Sequence, residues 1–264
     1  MKIYVCVDME GISGIVHPTQ LMKGEAMYEE GRRLLTNEVN AVVESLLQEG
    51  VREIIVRDIH ASGVNFIPER LHPGASYVMG GTLFQERFPG LDHTFDGALL
   101  IGYHTMAGVE RAVRDHSYSS RHFTSLKLNG RPIGEIGLDS LLLGTYGVPV
   151  LLVTGDEATC KEAANELEEV TTYATKVGLG RHSAILKSPV KVHEELRVTI
   201  AEALKHRDSY RPFIQSGPYE LQVQYMSTDL ADAKYCDGKQ AIRLDGLTIR
   251  VMDDDLTSLL CRAL

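Results

Sequence analysis

The sequence has few features of an exported or membrane-bound protein. It lacks any apolar run approaching the roughly 20 residues that a membrane helix needs. Its first residues, Met1 to Asp8, are too short an apolar stretch for a secretory signal peptide. Its 4 cysteines are widely separated and form no C-x-x-C motif, so neither a disulfide framework nor a cysteine-ligated metal site is indicated. We therefore expect a cytoplasmic protein with no membrane partner.

Positive charge is also scarce. Lysine and arginine number 27 against 36 aspartates and glutamates, which gives a formal net charge of −9 and an isoelectric point near 5.6. No basic cluster interleaved with aromatic residues offsets this field, so we expect no nucleic-acid partner. The content of 44% hydrophobic and 24% charged residues is that of an ordinary folded protein.

Short β-branched runs alternate with longer helical stretches through the first two thirds of the chain. Strands are predicted at residues 2–7, 53–60 and 97–104, and apolar spacing predicts an amphipathic helix at residues 25–48. This alternation predicts an α/β fold with a mainly parallel sheet flanked by helices. The further predicted elements are a hairpin at 124–133, helices at 135–146 and 157–169, and a buried strand at 148–153.

The pattern changes after residue 188. We expect residues 1–188 to form an α/β catalytic domain and residues 189–264 to form a smaller C-terminal α+β lobe. Because the second segment has few residues of catalytic type, a lid or an oligomer contact is its expected role. Apolar side chains on one face of its sheet would then be buried against another subunit, and these include Leu221, Val223, Ile249 and Val251.

Two carboxylates follow the first predicted strand. Ligands bind open α/β sheets beyond the carboxyl ends of the parallel strands. Asp8 and Glu10 stand there at positions i and i+2, so both side chains project to the same side of an extended chain. A divalent cation would supply the counter-charge that two like charges need. The alternative is a solvated loop or a helix N-cap.

The next two strands end in histidine. Asp58 and His60 close the second strand, and His104 closes the third. Acid and imidazole groups gathered at one sheet edge predict a metal site, for which zinc is the best match and manganese or cobalt less specific ones. The absence of cysteine ligands favours a catalytic site, since a catalytic metal keeps a position open for water.

Two more polar residues lie within reach of this edge, and residue type alone leaves both open. His116 belongs to a polar loop, and Glu135 opens the helix after the hairpin. A glutamate in the first turn of a helix is favoured by the helix dipole whatever its function, and most single histidines are structural or solvated. We interpret the remaining histidines as structural or solvated, namely His17, His72, His93, His122, His182, His193 and His206.

Together these motifs resemble the zinc-dependent D-aminopeptidases of the bacterial dipeptide-transport operons. The matching segments follow the order of that family and span most of residues 1–156. They are Val7-Asp8-Met9-Glu10-Gly11-Ile12-Ser13-Gly14, Asp58-Ile59-His60, Gly102-Tyr103-His104-Thr105-Met106-Ala107-Gly108, Asp115-His116-Ser117-Tyr118-Ser119-Ser120, and Asn129-Gly130 with Glu135.

The resemblance implies a metallo-aminopeptidase that hydrolyses the N-terminal amide bond of short peptides containing D-amino acids. It implies His116 as the acid/base or the nucleophile, and stacked pentameric rings that form a homodecamer with the active sites inside. It also implies two zinc ions with Asp8 as the bridge. The implied zinc ligands are Asp8, Glu10, His60, His104 and Glu135.

The chain departs from this family at two positions. Cys6 stands where serine is usual, and Gly134 stands where asparagine is common. Neither change removes an implied ligand, but both leave substrate preference and D versus L selectivity open. The alternatives are another binuclear metallohydrolase, acting on a phosphoester or a non-peptide amide, and a non-catalytic metal- or peptide-binding ring protein.

Overall fold

The structure, a computed structural model, describes residues 1–82 and 84–264. Its strands are Lys2–Val7 (β1), Glu53–Asp58 (β2), Ser76–Val78 (β3), Gly97–Ile101 (β4), Phe123–Leu128 (β5), Arg131–Pro132 (β6), Val150–Asp156 (β7), Thr171–Gly180 (β8), Ser183–Leu186 (β9), Tyr219–Tyr225 (β10), Ala241–Arg243 (β11) and Thr248–Asp253 (β12). Its α-helices are Tyr28–Gln48 (α1), Glu135–Thr145 (α2), Glu157–Glu166 (α3), Pro189–Lys205 (α4), Thr228–Asp232 (α5) and Leu256–Ala263 (α6).

The elements predicted in the first two thirds of the chain are present, with ends that differ by a few residues. Helix α1 begins at Tyr28, and α3 ends at Glu166. Strands β2 and β4 end before the histidines that were predicted to close them, so His60 and His104 lie in the loops just beyond. The patterns above do not predict β3, β8 or β9.

The larger sheet has the strand order β3-β2-β1-β4-β7-β8-β9. Every neighbouring pair in it is parallel except β8 with β9. Strand β1 lies between β2 and β4, with Val5 opposite both Val56 and Leu99. The carboxyl ends of these three strands therefore meet at one edge, and the predicted mainly parallel α/β fold is confirmed.

Both faces of β1 are covered, which explains its unbroken apolar sequence. Ile3 and Val5 pack in a core that includes residues of α1 and α4. Tyr4 and Cys6 point the other way, into a core shared with α2 and the second sheet. All four side chains are at most 1% exposed. Burial of such side chains stabilises a fold by about 1.5–3 kcal/mol each.

The second sheet is antiparallel and has the order β11-β12-β10-β5-β6. Strands β5 and β6 form the predicted hairpin, in which Asn129 and Gly130 take φ angles of 49° and 81°. Because β5 pairs with β10, this sheet joins the middle of the chain to its C-terminal part. Helix α4, by contrast, packs on α1 beside the first sheet. A boundary at residue 188 therefore does not coincide with the division between the two sheets.

The subunit contact predicted for the apolar face of the C-terminal sheet is wrong. Leu221 and Val223 are 0% exposed within a single chain, and Ile249 and Val251 are 2% exposed. They pack in the same core as Leu259 of α6, a helix that contacts both β10 and β12. The chain itself covers this face, which leaves it unavailable to a second subunit.

None of the helices in the described part of the chain combines the length and the apolar character needed to cross a membrane. The 4 cysteines are free, with Cys6 buried and the other three partly exposed. The predicted cytoplasmic location stays a prediction.

Candidate active site

The loop after β1 crosses the end of β4 and carries the first two predicted site residues. Its backbone is tied there by Asp8 N, which donates to Ile101 O at 2.8 Å, and by Gly11 N, which donates to Gly102 O at 2.7 Å. Gly102 has a φ of +71°, and a side chain there would collide with the Asp8 carbonyl. This close approach of two loops brings Asp8 and Glu10 beside His104.

Asp8 lies between two histidines. Its Oδ1 is 3.1 Å from His60 Nδ1, and its Oδ2 is 3.3 Å from His104 Nε2. Glu10 Oε2 lies 3.0 Å from the same His60 nitrogen. The other nitrogen of His60 is 3.1 Å from the Leu21 carbonyl, which fixes the direction of the ring. All four of these site side chains are buried.

Glu135 and His116 complete the cluster from the other side. Glu135 is the first residue of α2, and its Oε1 lies 3.1 Å from His104 Nε2 and 3.9 Å from His116 Nε2. The rings of His104 and His116 stack at 3.8 Å with an angle of 12° between their planes. The structure therefore brings together six of the seven acids and histidines singled out in the sequence, and leaves out Asp58.

Backbone hydrogen bonds hold His116 and set its tautomer. His116 N donates to Thr105 O at 3.1 Å, which joins the two loops that carry the stacked histidines. His116 Nδ1 lies 2.7 Å from Arg114 O. Because a carbonyl only accepts, Nδ1 carries the proton and donates it there. The Nε2 lone pair of the neutral ring then faces Glu135.

The buried charges of the site compensate one another. Burial lowers the pKa of His60, yet the carboxylates of Glu10 and Asp8 outweigh it and raise that pKa well above its ordinary value. Burial likewise lowers the pKa of His104, and Glu135 and Asp8 raise it well above the usual range. Burial and the neighbouring His104 lower the pKa of His116. The pKa values of Asp8, Glu10 and Glu135 are lowered in turn, so these carboxylates and the two histidines stabilise each other's charged forms, while His116 favours its neutral form.

The donor set fits a divalent cation. Glu10 Oε2 and His104 Nε2 are buried and lack a hydrogen-bond partner among the described residues, because their close neighbours are not aligned for one. Such orphaned buried atoms are rare unless an ion or a water completes them. Two overlapping groups, Asp8 with Glu10 and His104, and His104 with His116 and Glu135, each place their donor atoms within 4.8 Å of one another. Imidazole and carboxylate donors suit zinc.

Asp58 does not face this cluster. Its Oδ2 accepts from Asn65 N at 2.6 Å, and its Oδ1 accepts from Asn65 Nδ2 at 3.0 Å and from His60 N at 3.2 Å. Asn65 Nδ2 also lies 2.8 Å from the His60 carbonyl, to which it donates. Asp58 and Asn65 therefore hold the backbone of His60, and these hydrogen bonds occupy both oxygens of Asp58. Nothing in the spacing of Asn65 points to this role.

Lys176 is a second residue that the sequence patterns miss. It lies on β8, is 1% exposed, and donates from Nζ to the carbonyls of Glu10, Ile12 and Ile15 at 2.7, 2.8 and 2.5 Å. Burial lowers the pKa of Lys176 to about 8. This ammonium satisfies three carbonyls of the loop that carries Glu10, so it holds that loop in place.

A cavity of about 590 Å³ opens onto the cluster. Its volume is within the range of pockets for small organic ligands. His122, interpreted above as structural or solvated, lies in its wall with Nδ1 2.9 Å from Ser119 Oγ. Arg114, Arg121 and Phe84 also line it.

Comparison with known proteins identifies what this arrangement belongs to. The sequence profile of the D-aminopeptidase family matches residues 1–262. The chain is 37% identical, over 234 residues, to a D-aminopeptidase of Bacillus subtilis (strain 168), an alignment that covers 88% of this chain and 84% of that protein. Its fold matches the solved structure of the Zn-dependent D-aminopeptidase DppA from Bacillus subtilis, described as a self-compartmentalizing protease. That match has a TM-score of 0.92 and 32% identity, and covers 100% of this chain and 95% of the other. The predictions of family and of a hydrolase of the aminopeptidase class are confirmed, and this chain belongs to the D-aminopeptidase family.

Proposed function

We propose that this D-aminopeptidase removes the N-terminal residue of short peptides, including peptides of D-amino acids, with a site that holds two zinc ions. The observation that carries the proposal is the buried cluster of acids and histidines in which Glu10 Oε2 and His104 Nε2 make no hydrogen bond among the described residues. The zinc dependence described for the Bacillus subtilis enzyme of the same fold agrees with that donor set.

The proposed ligands lie on either side of the Asp8 carboxylate. Asp8 directs one oxygen to His60 and the other to His104, as a carboxylate shared by two cations would. When bound, zinc supplies a Lewis acid and lowers the pKa of a bound water toward about 7. The proposed zinc ligands are Asp8, Glu10, His60, His104 and Glu135.

His116 is the proposed catalytic residue. The Arg114 carbonyl accepts its Nδ1 proton, so Nε2 is free to take a proton. As an acid/base, it would take a proton from the water that attacks the carbonyl carbon and pass it to the leaving amine as the amide C–N bond breaks. As a nucleophile, its Nε2 would bond to the carbonyl carbon while the C–N bond breaks and the amine leaves with a proton from water, and a second water would hydrolyse the acyl-imidazole and restore His116.

Substrate size follows from the cavity, and the bond that is cut follows from the family. Two-metal sites serve both amide and phosphoester cleavage, so the preference for an amide rests on membership of the D-aminopeptidase family. The cavity of about 590 Å³ has room for a short peptide. The proposed D preference rests on membership of the family.

The test is a matched panel of substrates. Purified protein with zinc is given paired D- and L-aminoacyl amides and, separately, phosphoesters of similar size, and amine and phosphate release are measured. We expect amine release from the D-aminoacyl amides, its loss after zinc is chelated, and its return when zinc is restored. Phosphate release without amine release would contradict the proposal and favour the other binuclear hydrolase.

Assembly is a separate part of the proposal. We propose that ten chains of 29.2 kDa form two stacked pentameric rings, in line with the self-compartmentalizing relative. Exposed apolar residues at the β8–β9 edge, such as Leu179 at 48% and Ile185 at 61%, are available for subunit contacts. Light scattering should give the decamer mass, and short peptides should be cleaved while unfolded proteins are spared. A monomer that digests an unfolded protein efficiently would contradict the proposed assembly. It would not contradict the proposed zinc-dependent reaction.

A further inference from the structure

A buried ion pair lies directly beneath Glu135. Asp139 is one helical turn further along α2 and is 0% exposed. Arg87 donates two parallel hydrogen bonds to Asp139, from Nε to Oδ1 and from Nη2 to Oδ2, both at 3.0 Å. Such a bidentate pair fixes both the distance between the guanidinium and the carboxylate and the plane that they share.

Two tyrosines that belong to the site loops also bind Asp139. Tyr103 precedes His104 and donates from its hydroxyl to Asp139 Oδ2 at 2.8 Å. Tyr118 donates from its hydroxyl to Oδ1 at 3.3 Å, while its backbone N donates to Glu135 Oε1 at 2.6 Å. Asp139 therefore links the segments that carry His104, His116 and Glu135.

Arg87 reaches Glu135 as well as Asp139. Its Nη2 lies 3.9 Å from Glu135 Oε2, the oxygen that faces away from His104. Its guanidinium lies over the rings of Tyr118 and Phe84 at 5.3 and 5.7 Å from their centres. The Arg87 side chain is 16% exposed, and Arg87 is one of the residues that line the active-site cavity.

Helix capping does not set the direction of the Glu135 side chain. Gly134, at the N-cap of α2, has no side chain to bind the first turn. Each oxygen of Glu135 instead has its own neighbours, with Tyr118 N and the two histidines around Oε1 and Arg87 beside Oε2. A hydrogen bond to one oxygen and a positive charge beside the other favour a single orientation of this carboxylate. The Arg87–Asp139 pair is neutral as a whole, so it orients Glu135 without adding net charge that would repel a cation.

We propose that Arg87 and Asp139 are positioning residues that hold Glu135 and, through Tyr103 and Tyr118, the two histidine loops in the geometry that binds zinc. The inference rests on the proposed role of Glu135 as a zinc ligand. Partners of this kind commonly contribute about 10- to 100-fold to metal affinity or activity.

A purely structural ion pair is the competing explanation, and a double variant separates the two. Arg87→Met alone leaves Asp139 as an unpaired buried charge, which destabilises the fold for reasons unrelated to zinc. Arg87→Met combined with Asp139→Asn removes both charges and should recover most of the melting temperature lost in the single variant. If the pair only stabilises the fold, zinc binding recovers with the melting temperature. If it positions Glu135, zinc binding does not recover.

The conservative variant Arg87→Lys gives a second, milder test. Lysine keeps the positive charge but cannot form the bidentate ion pair with Asp139. The matched control is Val223→Ala, which lowers stability from the second sheet, where Val223 lies between Leu126 and Ile249. Zinc affinity is measured by competition with a chelator, the ligand geometry by the visible spectrum of the cobalt-substituted protein, and kcat and KM with an aminoacyl amide.

We expect both the double variant and Arg87→Lys to bind zinc about 10- to 100-fold more weakly, with a changed cobalt spectrum and a lower kcat. Val223→Ala should lose stability and keep wild-type zinc affinity, spectrum and kcat. Wild-type zinc affinity and spectrum in the folded double variant would overturn the inference. If the double variant does not fold, wild-type zinc affinity and a wild-type cobalt spectrum in Arg87→Lys would overturn the inference. Wild-type protein that binds no zinc would instead contradict the proposed function.

Discussion

The carboxyl edge of the larger sheet and the apolar face of the smaller sheet are buried to the same degree with opposite kinds of side chain. At the edge, Asp8, Glu10 and His104 are 4%, 3% and 2% exposed, while Leu221 and Val223 of the smaller sheet are 0% exposed. Burying charged groups costs free energy unless they are paired or bind a metal, whereas burying apolar area contributes about 25 cal/mol per Å². The edge is arranged for chemistry, and the apolar face for stability.

Replacing Asp8 should have the largest effect. It should disrupt the site at the carboxyl edge of the larger sheet and leave the packing of the smaller sheet intact. We expect Asp8→Ala to lose both zinc ions and to reduce activity by roughly 10⁴-fold or more, since the site loses its cations and its central acid together. The free energy of unfolding of the metal-free protein should fall as well, because Asp8 is the buried counter-charge of both His60 and His104. Elemental analysis measures the zinc. A variant that keeps its full zinc content would show that Asp8 is not the bridge.

Removing the neutral imidazole should separate catalysis from metal binding at the same edge. His116→Ala is expected to retain zinc and to lose about 10²- to 10⁴-fold in kcat, the usual contribution of a general acid or base. Rapid kinetics measures kcat, and elemental analysis of the same preparation measures the zinc content. Near-wild-type kcat would move the catalytic role to the Tyr118 hydroxyl or to Asp115. Loss of zinc would make His116 a ligand, as its place in one of the two donor groups allows.

A substitution in the smaller sheet should give the reverse result. Leu221→Ala is expected to lower the free energy of unfolding by about 2–5 kcal/mol, because it leaves a cavity in a closely packed core. Zinc content and kcat per folded molecule should stay at wild-type values. Chemical denaturation measures the first quantity, and activity below the unfolding transition measures the second. A fall in kcat that matches the fall in stability would show that the two regions are coupled.

The smallest expected effect belongs to Asp58, which lies at the edge but turns away from the cluster. Asp58→Asn should keep the zinc stoichiometry and weaken zinc affinity by about 10-fold, since it disturbs the hydrogen bonds that hold His60 without removing a donor to the metal. Competition with a chelator measures the affinity. Loss of a whole zinc ion would instead restore Asp58 to the ligand set suggested by its place at the strand end.

Local patterns in the chain placed Asp8, Glu10, His60 and His104 at or just beyond the carboxyl ends of strands. Asp8, His60 and His104 follow apolar strands, and parallel strands bring their carboxyl ends to one edge, so sequence spacing implied spatial proximity. Recognition of Glu135 and His116 depended on family resemblance, because a first-turn glutamate and a loop histidine have common structural roles. Strand β8 was missed because polar residues and glycines interrupt its apolar pattern, and Lys176 was missed with it.

The sequence by itself determined the alternation of strands and helices, the tight Asn129-Gly130 hairpin, and the polar groups at the strand ends. These features depend on residues that are neighbours along the chain, where side-chain periodicity and backbone preference act directly. Only the tertiary structure decided that β5 joins a C-terminal sheet, that Arg87 lies under Glu135, and that Lys176 binds carbonyls up to 166 positions away. Those contacts depend on how whole layers pack, and local periodicity carries no information about the partner that a buried charge meets there.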